Sequence, residues 1–595
     1  MENKEYRNLT AAEIEKLERQ GNTAEDWSGV RVADPLSVEC IRNSTFEGAV
    51  SLGTIENRKH TGECLTLCEG IYNSMLCNCT VGDHAAIHNV RMLSGYVIGD
   101  NVILFNVDEM SATADLKQVA WLEPMNENGG RRILPFSGMT IGDAYMWARY
   151  RGRKSFMERL EQFTYDTLGS DEGRYGRVGN CCTIKNTKAI RNVAIRSTDA
   201  DRTMVDGCIV LSDGVVGTGC TLEHGVIAVR FLLGEHVHLE FGLRLNDTVV
   251  GDNSTLARCE VGNSIIFPAH EQHHNNSFLI AGLIMGQSNI AAGGTIGSNH
   301  NSRTADNEIA AGRGFWPGLC CSFKHSSRFA SYCLLAKGDY PAELDITLPF
   351  ALVNNNTGKD QLEVMPAYWW MYNMYAMDRN SKKFAKRDKR VVKAQNIEFD
   401  NLAPDTAEEI LRGMELLRQW MDKAENGMVY ADGMEKGKRR TVILKAEEGL
   451  KAYEEMLIFY AMKTLESGGR SVGNGEREKE WVNIGGQLVT KPDMERLIAD
   501  VESGAIDSWE ALHARMNALW EAYPAQREAH AYGVLCRLAG VEQLDDVLWQ
   551  QYRQRYDEIK NYIEEQKVAS RHKDDVNPYR NMTYWDTAER DAVLG

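Results

Sequence analysis

The sequence predicts a mainly β fold: a parallel β-helix wound from six-residue repeats, with a helical insertion and an α-helical C-terminal domain. Apolar residues recur six positions apart between residues 26 and 350, aliphatic–glycine pairs recur in the same region, and helical spacing follows it. A period of six fits neither the 3.6 residues of a helical turn nor the alternation of a plain strand. It is typical of a hexapeptide solenoid, in which three hexads make one coil of about 18 residues.

The six-residue spacing is clearest in the run Phe278, Ile284, Ile290 and Ile296. The same spacing links Ile98 to Leu104, Val210 to Val216 and Leu222, Leu233 to Leu239 and Leu245, Val250 to Leu256, and Phe323 to Phe329 and Leu335. Aliphatic–glycine pairs stand in VGD at 81 and 250, IGD at 98 and 141, VGT at 216, VGN at 261 and IGS at 296. We expect the large apolar side chains to point inward and the small residues to form tight corners.

The first part of the chain, residues 1–25, predicts an N-terminal helix, because Thr10 and Glu13 form a capping box. Residues 26–350 predict the β-helix. Within it, residues 142–169 have helical spacing and no hexad. This insertion predicts a projecting lid or partner-binding arm, or equally a helix packed on one face of the solenoid.

Beyond residue 350 the sequence predicts a connector, 351–400, and an α-helical domain, 401–595. The connector carries an aromatic run that includes Trp369 and Trp370, which predicts either packing against the helical domain or a sugar-stacking platform. Its basic run at 379–390 predicts a solvated face, with a phosphate or RNA contact as the alternative. In the helical domain, Thr406 and Glu409 predict a second capping box.

The composition excludes several classes of function. The 595 residues carry a net charge of -17, which gives no support for binding nucleic acid or an anionic membrane. No apolar stretch is long enough for a membrane span, and the N-terminus lacks an apolar signal core, so we expect a cytoplasmic protein. The 14 cysteines include Cys64, Cys68, Cys77 and Cys79, whose spacing fits no common zinc pattern, so we expect reduced thiols.

Three histidines begin similar polar motifs late in the predicted solenoid. HNNS starts at His274, HNSR at His300 and HSSR at His325, at separations of 26 and 25 residues. Each interval fits one coil and a short loop, so we predict that the three side chains stack at similar corners of successive coils. Imidazole can accept a proton from a hydroxyl or an amine near neutral pH. The three are therefore the predicted catalytic residues, with His300 first.

Polar neighbours of these histidines predict an anionic ligand. Arg303 and Arg328 can bind a phosphate or a carboxylate through two hydrogen bonds, and Asn301 can stabilise an oxyanion. Lys324 and Lys337 are further predicted phosphate contacts, and Trp369 and Trp370 are the predicted sugar contacts.

Two other interpretations of these residues stay open. Ladders of Asn, Ser and His side chains also satisfy backbone groups in solenoids, without any catalysis. In the stretch PAHEQHH, His270, His273 and His274 could instead hold a zinc or iron ion together with Glu271.

Over about residues 30–350 the repeat resembles the left-handed β-helix, hexapeptide-repeat superfamily, known from acyltransferases such as UDP-N-acetylglucosamine acyltransferase. This resemblance implies left-handed winding, a homo-oligomer such as a trimer, and an active site between coils with a histidine as general base. Over nearly its full length the chain also resembles a family of uncharacterised bacterial proteins, through HNSR, GRGFWPGLC, LLAKGDYPAEL and MPAYWWMYNMYA.

From the resemblance we expect an acyltransferase-like enzyme that acts on a sugar-nucleotide or another phosphorylated small molecule. It names no certain cofactor and implies acyl-CoA as the co-substrate. A non-catalytic scaffold for a protein partner is one alternative, and a metal-dependent enzyme like the γ-class carbonic anhydrases of the same superfamily is another. The chain has no glycine-rich phosphate signature and no Walker motif, which argues against nucleotidyl transfer and against a P-loop kinase.

Overall fold

A computed structural model of the protein describes residues 4–61, 66–170, 172–297, 308–466, 477–573 and 575–594. Its main body is a parallel β-solenoid, and helices dominate the C-terminal region. The predicted fold class, mainly β with C-terminal helices, is therefore confirmed. The left-handed winding and the domain boundaries near residues 25, 350 and 400 stay predictions.

Successive coils stack equivalent residues in parallel register. In one row Val205 pairs with Leu222, Leu222 with Leu239 and Leu239 with Leu256, at a constant step along the chain. All four side chains are fully buried. They form a column of aliphatic contacts along the solenoid axis, which is the physical origin of the repeat seen in the sequence.

Each central coil has three sides that meet at residues with positive φ. Consecutive corners lie at Arg230, His236, Phe241 and Asp247, at intervals of six, five and six residues. Equivalent corner residues of adjacent coils are 17 residues apart, so a coil is shorter than the three full hexads that the sequence predicts. The six-residue spacing of apolar residues accordingly fails once in every coil, for example between Leu245 and Val250, which are five residues apart on either side of the corner at Asp247.

Side 1 of each coil, such as Thr221–Glu223, belongs to one parallel sheet; sides 2 and 3 are the two halves of a strand bent at its corner residue, such as Ile227–Leu233. The side 1 sheet contains Ile41–Arg42, Gly70–Tyr72, Ala86–Val90, Ile103–Val107, Thr183–Lys185, Met204–Asp206, Thr221–Glu223, His238–Glu240, Thr255–Ala257 and Glu271–Gln272. The other long sheet contains Arg7–Asn8, Thr23–Ala24, Val30–Val32, Thr45–Leu52, Met75–Val81, Leu93–Ser94, Val97–Ile98, Glu109–Ser111, Arg177–Val178, Ala189–Ile195, Val210–Val216, Ile227–Leu233, Arg244–Val250, Glu260–Ile266, Phe278–Ile280, Gly282–Ile284, Thr295–Ile296, Ile309–Ala311, Ser322–Phe323, Arg328–Phe329, Asp339–Tyr340 and Asp345–Ile346.

Smaller sheets join the solenoid to the C-terminal region, which is not purely helical. One sheet contains Trp316–Pro317, Leu334–Leu335, Leu352–Asn356, Gln361–Met365, Thr441–Ile443 and Val429–Ala431. Two hairpins stand apart, Lys59–Thr61 with Thr66–Cys68, and Trp481–Ile484 with Gln487–Thr490. The strand Thr441–Ile443 pairs with Gln361–Met365, so the helical region continues a sheet that begins at the end of the solenoid.

The helices are α1 (Ala11–Arg19), α2 (Ile141–Arg149), α3 (Lys154–Leu168), α4 (Tyr368–Tyr372), α5 (Met374–Arg387), α6 (Pro404–Met421), α7 (Ala446–Leu465), α8 (Lys491–Ser503), α9 (Trp509–Ala539), α10 (Asp546–His572), α11 (Pro578–Asn581) and α12 (Thr587–Leu594). Short 3-10 turns occur at Trp27–Gly29, Val38–Cys40 and Leu116–Gln118. Within the described residues, none of these helices combines the length and apolar character that crossing a membrane requires.

Side 3 of the solenoid is buried on both of its faces. Phe231 and Leu233 belong to the core inside the coils, whereas Leu232 between them belongs to a second core outside. The equivalent outward residues of neighbouring coils are Ala194, Val215, Val249 and Ile265. A strand that is covered on both faces carries a continuous apolar run instead of an alternating one.

The insertion covers this outer face of side 3. The segment 112–176 leaves the solenoid and contains α2, which begins at Ile141, one residue before the predicted range 142–169, and α3, which lies inside that range. Trp147 and Phe156 of these helices share the second core with Trp509 of α9. The insertion is therefore a layer between the solenoid and the C-terminal helices. Of the predicted alternatives, its helices pack on one face of the solenoid and do not project as a lid or arm.

The two predicted capping boxes have different outcomes. At α1, Glu13 N donates to Thr10 Oγ1 and Thr10 N donates to the Glu13 carboxylate, as the sequence predicts. The prediction of a capping box at Thr406 and Glu409 is wrong, because α6 begins two residues before Thr406, at Pro404. Proline suits the first helical position, so the helix starts there and the Thr406 hydroxyl lies within the first turn.

Candidate functional site

The structure does not bring together the two predicted catalytic histidines that it describes. Phe278, Thr295 and Ser322 occupy one row on successive coils. His274 lies four residues before this row and His325 three residues after it, so the two stand at opposite ends of one side, two coils or about 10 Å apart along the axis. The predicted stack of His274 with His325 is therefore wrong, because the second step along this row is much longer than the first and offsets their register.

The two histidines also have opposite environments. His325 is buried, with Nε2 3.0 Å from the carbonyl oxygen of Ile280. His274 is exposed, and its ring centroid lies 4.4 Å from that of His273. They do not share a site, and a catalytic role for either stays a prediction.

Three predicted site residues fall outside the described residues: His300, Asn301 and Arg303. Their roles stay predictions. Of the predicted phosphate contacts, exposed Arg328 pairs with Asp345 at 2.5 Å and Lys324 lies 3.5 Å from Glu343. Lys337 is exposed. Arg328 and Lys324 therefore each already have a carboxylate partner.

Trp369 and Trp370 are core residues. Trp369 donates from Nε1 to the carbonyl oxygen of Tyr332 at 2.8 Å, and its ring packs 5.5 Å from Trp316. Trp370 donates to Glu455 at 3.2 Å. Both side chains are almost fully buried, so neither can offer a sugar-stacking face. Of the two predicted roles of the aromatic run, the structure shows packing.

The stretch PAHEQHH does not form a metal centre. His270 is fully buried between Ser288 Oγ at 2.8 Å and Gln272 Oε1 at 3.2 Å, and burial lowers its pKa to about 4. Glu271 is already engaged by Lys383 at 2.5 Å. In the described part of the chain, no three or more His, Cys, Asp or Glu side chains are grouped to hold a metal ion. The described cysteines are free thiols, and Cys64 lies outside the described residues.

The basic run of the connector binds the solenoid. Arg387 lies 2.7 Å from Glu271, and Arg390 is buried between Asp252 at 2.5 Å and Asp388 at 2.8 Å. Paired in this way, the run fastens the connector across the coils. It is neither a fully solvated face nor an open phosphate contact at these positions.

A row of glycines marks the corner between side 3 and side 1. It includes Gly179, Gly217, Gly234 and Gly251, each directly after the last residue of side 3. A Cβ at Gly217 would lie 2.2 Å from the carbonyl oxygen of Gly234, so neighbouring coils approach too closely here for any side chain. This close approach explains the recurring aliphatic–glycine pair.

The residue after each glycine ties one coil to the next. Asp83 Oδ1 accepts from Thr54 N at 2.7 Å, and Asp100 Oδ1 accepts from Asp83 N at 2.7 Å. The VGD and IGD motifs at these corners are therefore a structural ladder. The IGD at 141 is an exception, because it starts α2 and its Asp143 caps that helix.

Arg196 breaks this row. Ile195 pairs with Val178 on one coil and with Val216 on the next, so Arg196 stands between two coils that have glycine at its position. Paired residues of this strand and the next are 21 residues apart, whereas those of the following coils are 17 residues apart. The corner after Arg196 is thus longer, and this length makes room for a side chain between two glycine corners; further along the solenoid, Phe267 and Met285 stand at the equivalent position.

The widened corner opens a cleft of about 360 Å³, here called the corner cleft. The solenoid contributes Arg177, Asn180, Arg196, Ser197 and Thr198 to its lining. The insertion contributes Ser137 and Glu172, and the connector contributes Val392. Clefts between separate structural units, lined by a few converging polar groups, are the usual position of small-molecule sites.

A second lobe of about 540 Å³ adjoins the corner cleft, and Asn180 and Thr198 line both. Its other lining residues are mostly polar and include Asn101, Thr183 and Arg202. Arg202 is paired with Asp199 and is mainly exposed. The second lobe also contains the carboxylates of Asp100 and Asp199, whereas the corner cleft has Arg177 and Arg196 against Glu172, so the corner cleft is the more cationic lobe.

The Arg196 guanidinium is the unusual group in the corner cleft. It is partly buried, yet it makes no hydrogen bond or ion pair with the part of the chain that the structure describes. An arginine presents five N–H donors in a planar fork, and structural arginines in protected places are normally paired. An unengaged guanidinium beside hydroxyl groups is suited to a phosphate or a carboxylate.

A histidine–carboxylate pair lies close to Arg196. His513 Nε2 in α9 is 2.7 Å from Asp143 Oδ2, and Asp143 is 1% exposed. Thr140 N also donates to this oxygen, at 2.8 Å. Burial disfavours the charged imidazole, but the charge and hydrogen bond of Asp143 outweigh it and raise the pKa of His513, while the charge of Arg196 acts in the opposite direction.

Arg196, Asp143 and His513 are not among the site residues that the sequence predicts. A signal exists for Arg196, because it replaces glycine at the corner of a repeat. A signal also exists for Asp143, since Thr140 and Asp143 before an apolar helical run have the spacing of a capping box. His513 lies 370 residues away on a long helix, and nothing local in the sequence distinguishes it.

Comparison with known proteins places the chain in a family. Residues 6–421 match the family described as "Domain of unknown function (DUF4954)". A protein of Treponema pallidum (strain Nichols), described as "Uncharacterized protein", is 41% identical over 652 aligned residues, covering 99% of this chain and 90% of that protein. The likeness to an uncharacterised bacterial family is confirmed, whereas membership of the hexapeptide-repeat superfamily stays a prediction. The chain belongs to the DUF4954 family.

Proposed function

We propose that the protein binds a small anionic molecule in the corner cleft, with Arg196 as its anion-binding group. The observation that carries this proposal is the unengaged Arg196 guanidinium at a place where the glycine row gives way to a long side chain. Departures from a local structural rule are expected at functional sites. The cleft volume of about 360 Å³ suits a small molecule.

The ligand that fits best has an anionic group at one end and a polar body. The anionic group would lie between Arg196 and Arg177, and the body would reach the second lobe past Asn180 and Thr198. Amide and hydroxyl side chains there suit hydroxyl groups of the ligand. This agrees with the phosphorylated small molecule, a sugar-nucleotide among others, that the resemblance implies.

Acyl transfer to such a molecule is the reaction we propose on the resemblance, with acyl-CoA as co-substrate and a homo-oligomer, such as a trimer, as the working form. Its predicted base His300 lies outside the described residues. Sedimentation velocity tests the oligomer directly. A trimer is the expected result, and a monomer at micromolar concentration would contradict it.

A scaffold function is the second candidate, favoured by the C-terminal tail. Tyr579 is 79% exposed and Trp585 is 92% exposed, which is unusual for large aromatic side chains. Exposed aromatic residues are frequent in protein interfaces. A protein partner lost on Trp585→Ser substitution would support this candidate.

Calorimetric titration with inorganic phosphate, and with a panel of phosphorylated sugars, tests the leading proposal. We expect Arg196→Gln to weaken binding at least tenfold, about 1.4 kcal/mol. Arg191→Gln is the matched control, because Arg191 lies on the strand that leads to Arg196 but faces Glu109 at 2.5 Å. Equal binding by wild type and Arg196→Gln, or no binding of any anion, would contradict the proposal.

A further inference from the structure

The His513–Asp143 pair stands at the end of a narrow passage from the corner cleft. His513, Thr140 and Gln395 line one chamber of about 20 Å³, and Thr140, Gln395 and Arg196 line a second of the same size. Arg196 also lines the corner cleft itself. Each chamber has room for about one water molecule. A chain of polar sites therefore leads from the anion-binding group to the histidine.

The geometry of the pair fixes the tautomer of the neutral imidazole. The Asp143 carboxylate lies 2.7 Å from Nε2, so this nitrogen carries the hydrogen. The other nitrogen, Nδ1, then carries the lone pair and makes no hydrogen bond with the described residues. Asp143 is itself held by Thr140 N in the capping box of α2, which restricts the orientation of the ring.

We propose that His513 is the proton acceptor of the corner cleft, oriented by Asp143 as its positioning residue. This inference rests on the proposed function, because it needs an anion at Arg196. The charged groups that act on His513 are the Asp143 carboxylate of α2 and the Arg196 guanidinium of the solenoid, and the carboxylates of Glu235 and Asp252 line the chamber beside Arg196. A bound anion neutralises the Arg196 charge, which is the one nearby charge that opposes protonation of the imidazole.

The step is a single proton transfer. The O–H bond of a water molecule or ligand hydroxyl in the chamber breaks, the Nδ1–H bond forms, and the oxygen keeps the electron pair. The Asp143 carboxylate stabilises the imidazolium that forms, as the carboxylate beside a catalytic histidine does in general base catalysis. An activated oxygen of this kind serves any group transfer to water or to a ligand hydroxyl.

A purely structural role makes a different prediction. If His513 only ties α9 to α2, its protonation does not respond to a ligand in the cleft. Proton uptake on anion binding separates the two roles. Sulfate is the suitable probe, because it does not itself titrate near neutral pH.

The test is calorimetric titration of the full chain with sulfate at about pH 7.5, in buffers of different ionisation enthalpy. We expect wild type to take up a fraction of a proton per sulfate bound. His513→Gln should bind sulfate without this uptake, and Asp143→Asn should reduce it. Circular dichroism checks that each variant folds, and the histidine NMR signal of His513 should shift on adding sulfate, whereas that of His224 on another corner should not.

The outcomes separate the two proposals. Sulfate binding with the same proton uptake in wild type and His513→Gln would overturn the role of His513 and leave the anion site standing. Absence of sulfate binding to wild type would overturn the anion site and, with it, this inference. If Asp143→Asn fails to fold, the comparison of wild type with His513→Gln alone decides the matter.

Discussion

Two arginines of the solenoid, Arg313 and Arg196, meet opposite environments. Arg313 is 2% exposed, and its guanidinium donates to both oxygens of Asp405, at 2.9 and 2.8 Å, and to the carbonyl oxygen of Asp400 at 2.7 Å. Arg196 is partly buried and has no such partner among the described residues. Arg313, which joins the solenoid to α6, has a carboxylate partner, whereas Arg196, which faces the corner cleft, has none among the described residues.

The paired arginine belongs to a larger polar network between the connector and the C-terminal helices. Arg527 of α9 binds Glu398 at 3.0 Å and Asp400 at 2.8 Å, and Lys463 of α7 also reaches Asp400 at 2.8 Å. Tyr523 donates to Glu398 at 2.6 Å. Such networks fix how parts pack, because each buried charge requires its partner.

The largest expected effect comes from breaking the paired arginine. Asp405→Ala leaves the Arg313 charge buried without its carboxylate, which should cost about 3–5 kcal/mol of unfolding free energy. Urea unfolding followed by fluorescence measures it. Arg313→Met combined with Asp405→Leu should recover part of the loss. A cost of Asp405→Ala below about 1 kcal/mol would mean that the pair is not structural.

A smaller effect is expected in the glycine row that Arg196 interrupts. Gly217→Ala places a Cβ 2.2 Å from the carbonyl oxygen of Gly234, so the coils must shift, at about 1–3 kcal/mol. Gly152→Ala is the control, because nothing lies within 4 Å of its Cβ. Equal melting temperatures of the two variants would contradict the close approach of coils at this corner.

A pH effect of about 2–3 kcal/mol is expected at Glu409, whose carboxylate accepts a hydrogen bond from Ser331 N at 2.9 Å and so links α6 to the solenoid. Burial, with the nearby Asp405 charge, raises the pKa of Glu409 to about 7 from 4.5. The folded state then holds a proton that the unfolded state releases, so stability falls as pH rises from 4.5 to 7. Glu409→Gln should flatten this fall in urea unfolding across that range, and an unchanged slope would contradict it.

The smallest effect is expected at a predicted phosphate contact. Arg328 is 70% exposed and paired with Asp345, so Arg328→Gln should change the unfolding free energy by less than about 1 kcal/mol. It should also leave phosphate affinity unchanged, in contrast to Arg196→Gln. Loss of phosphate binding in Arg328→Gln would move the anion site away from the corner cleft.

The sequence predicts the fold well because the repeat is a direct consequence of burial. Leu222, Leu239 and Leu256 face one another inside the coils, so their spacing survives in the sequence. The sequence predicts a coil of about 18 residues, one more than the observed 17, because a five-residue step between apolar residues looks like an irregularity in a six-residue repeat. The IGD motif at 141 has the sequence of a solenoid corner but forms the start of α2, because glycine and aspartate occur both at solenoid corners and in the first turn of a helix.

The candidate site was less predictable, for reasons of distance and pairing. Asp143 and His513 meet only because the insertion and α9 both cover side 3 of the solenoid. Trp369 and Trp370 resemble a binding surface in the sequence, and only the packing shows that they are buried. Arg328 looks as free as Arg196 does, since the sequence does not show that Asp345 lies one coil away.

The most direct test of the central claim is to locate an anion in crystals of the full chain soaked with selenate, using anomalous scattering from selenium. We expect a selenate oxygen about 3 Å from a guanidinium nitrogen of Arg196, in a cleft that stays empty in crystals of Arg196→Gln. Selenate bound only at other surfaces, or bound equally in the variant, would contradict the claim that the corner cleft is an anion-binding site.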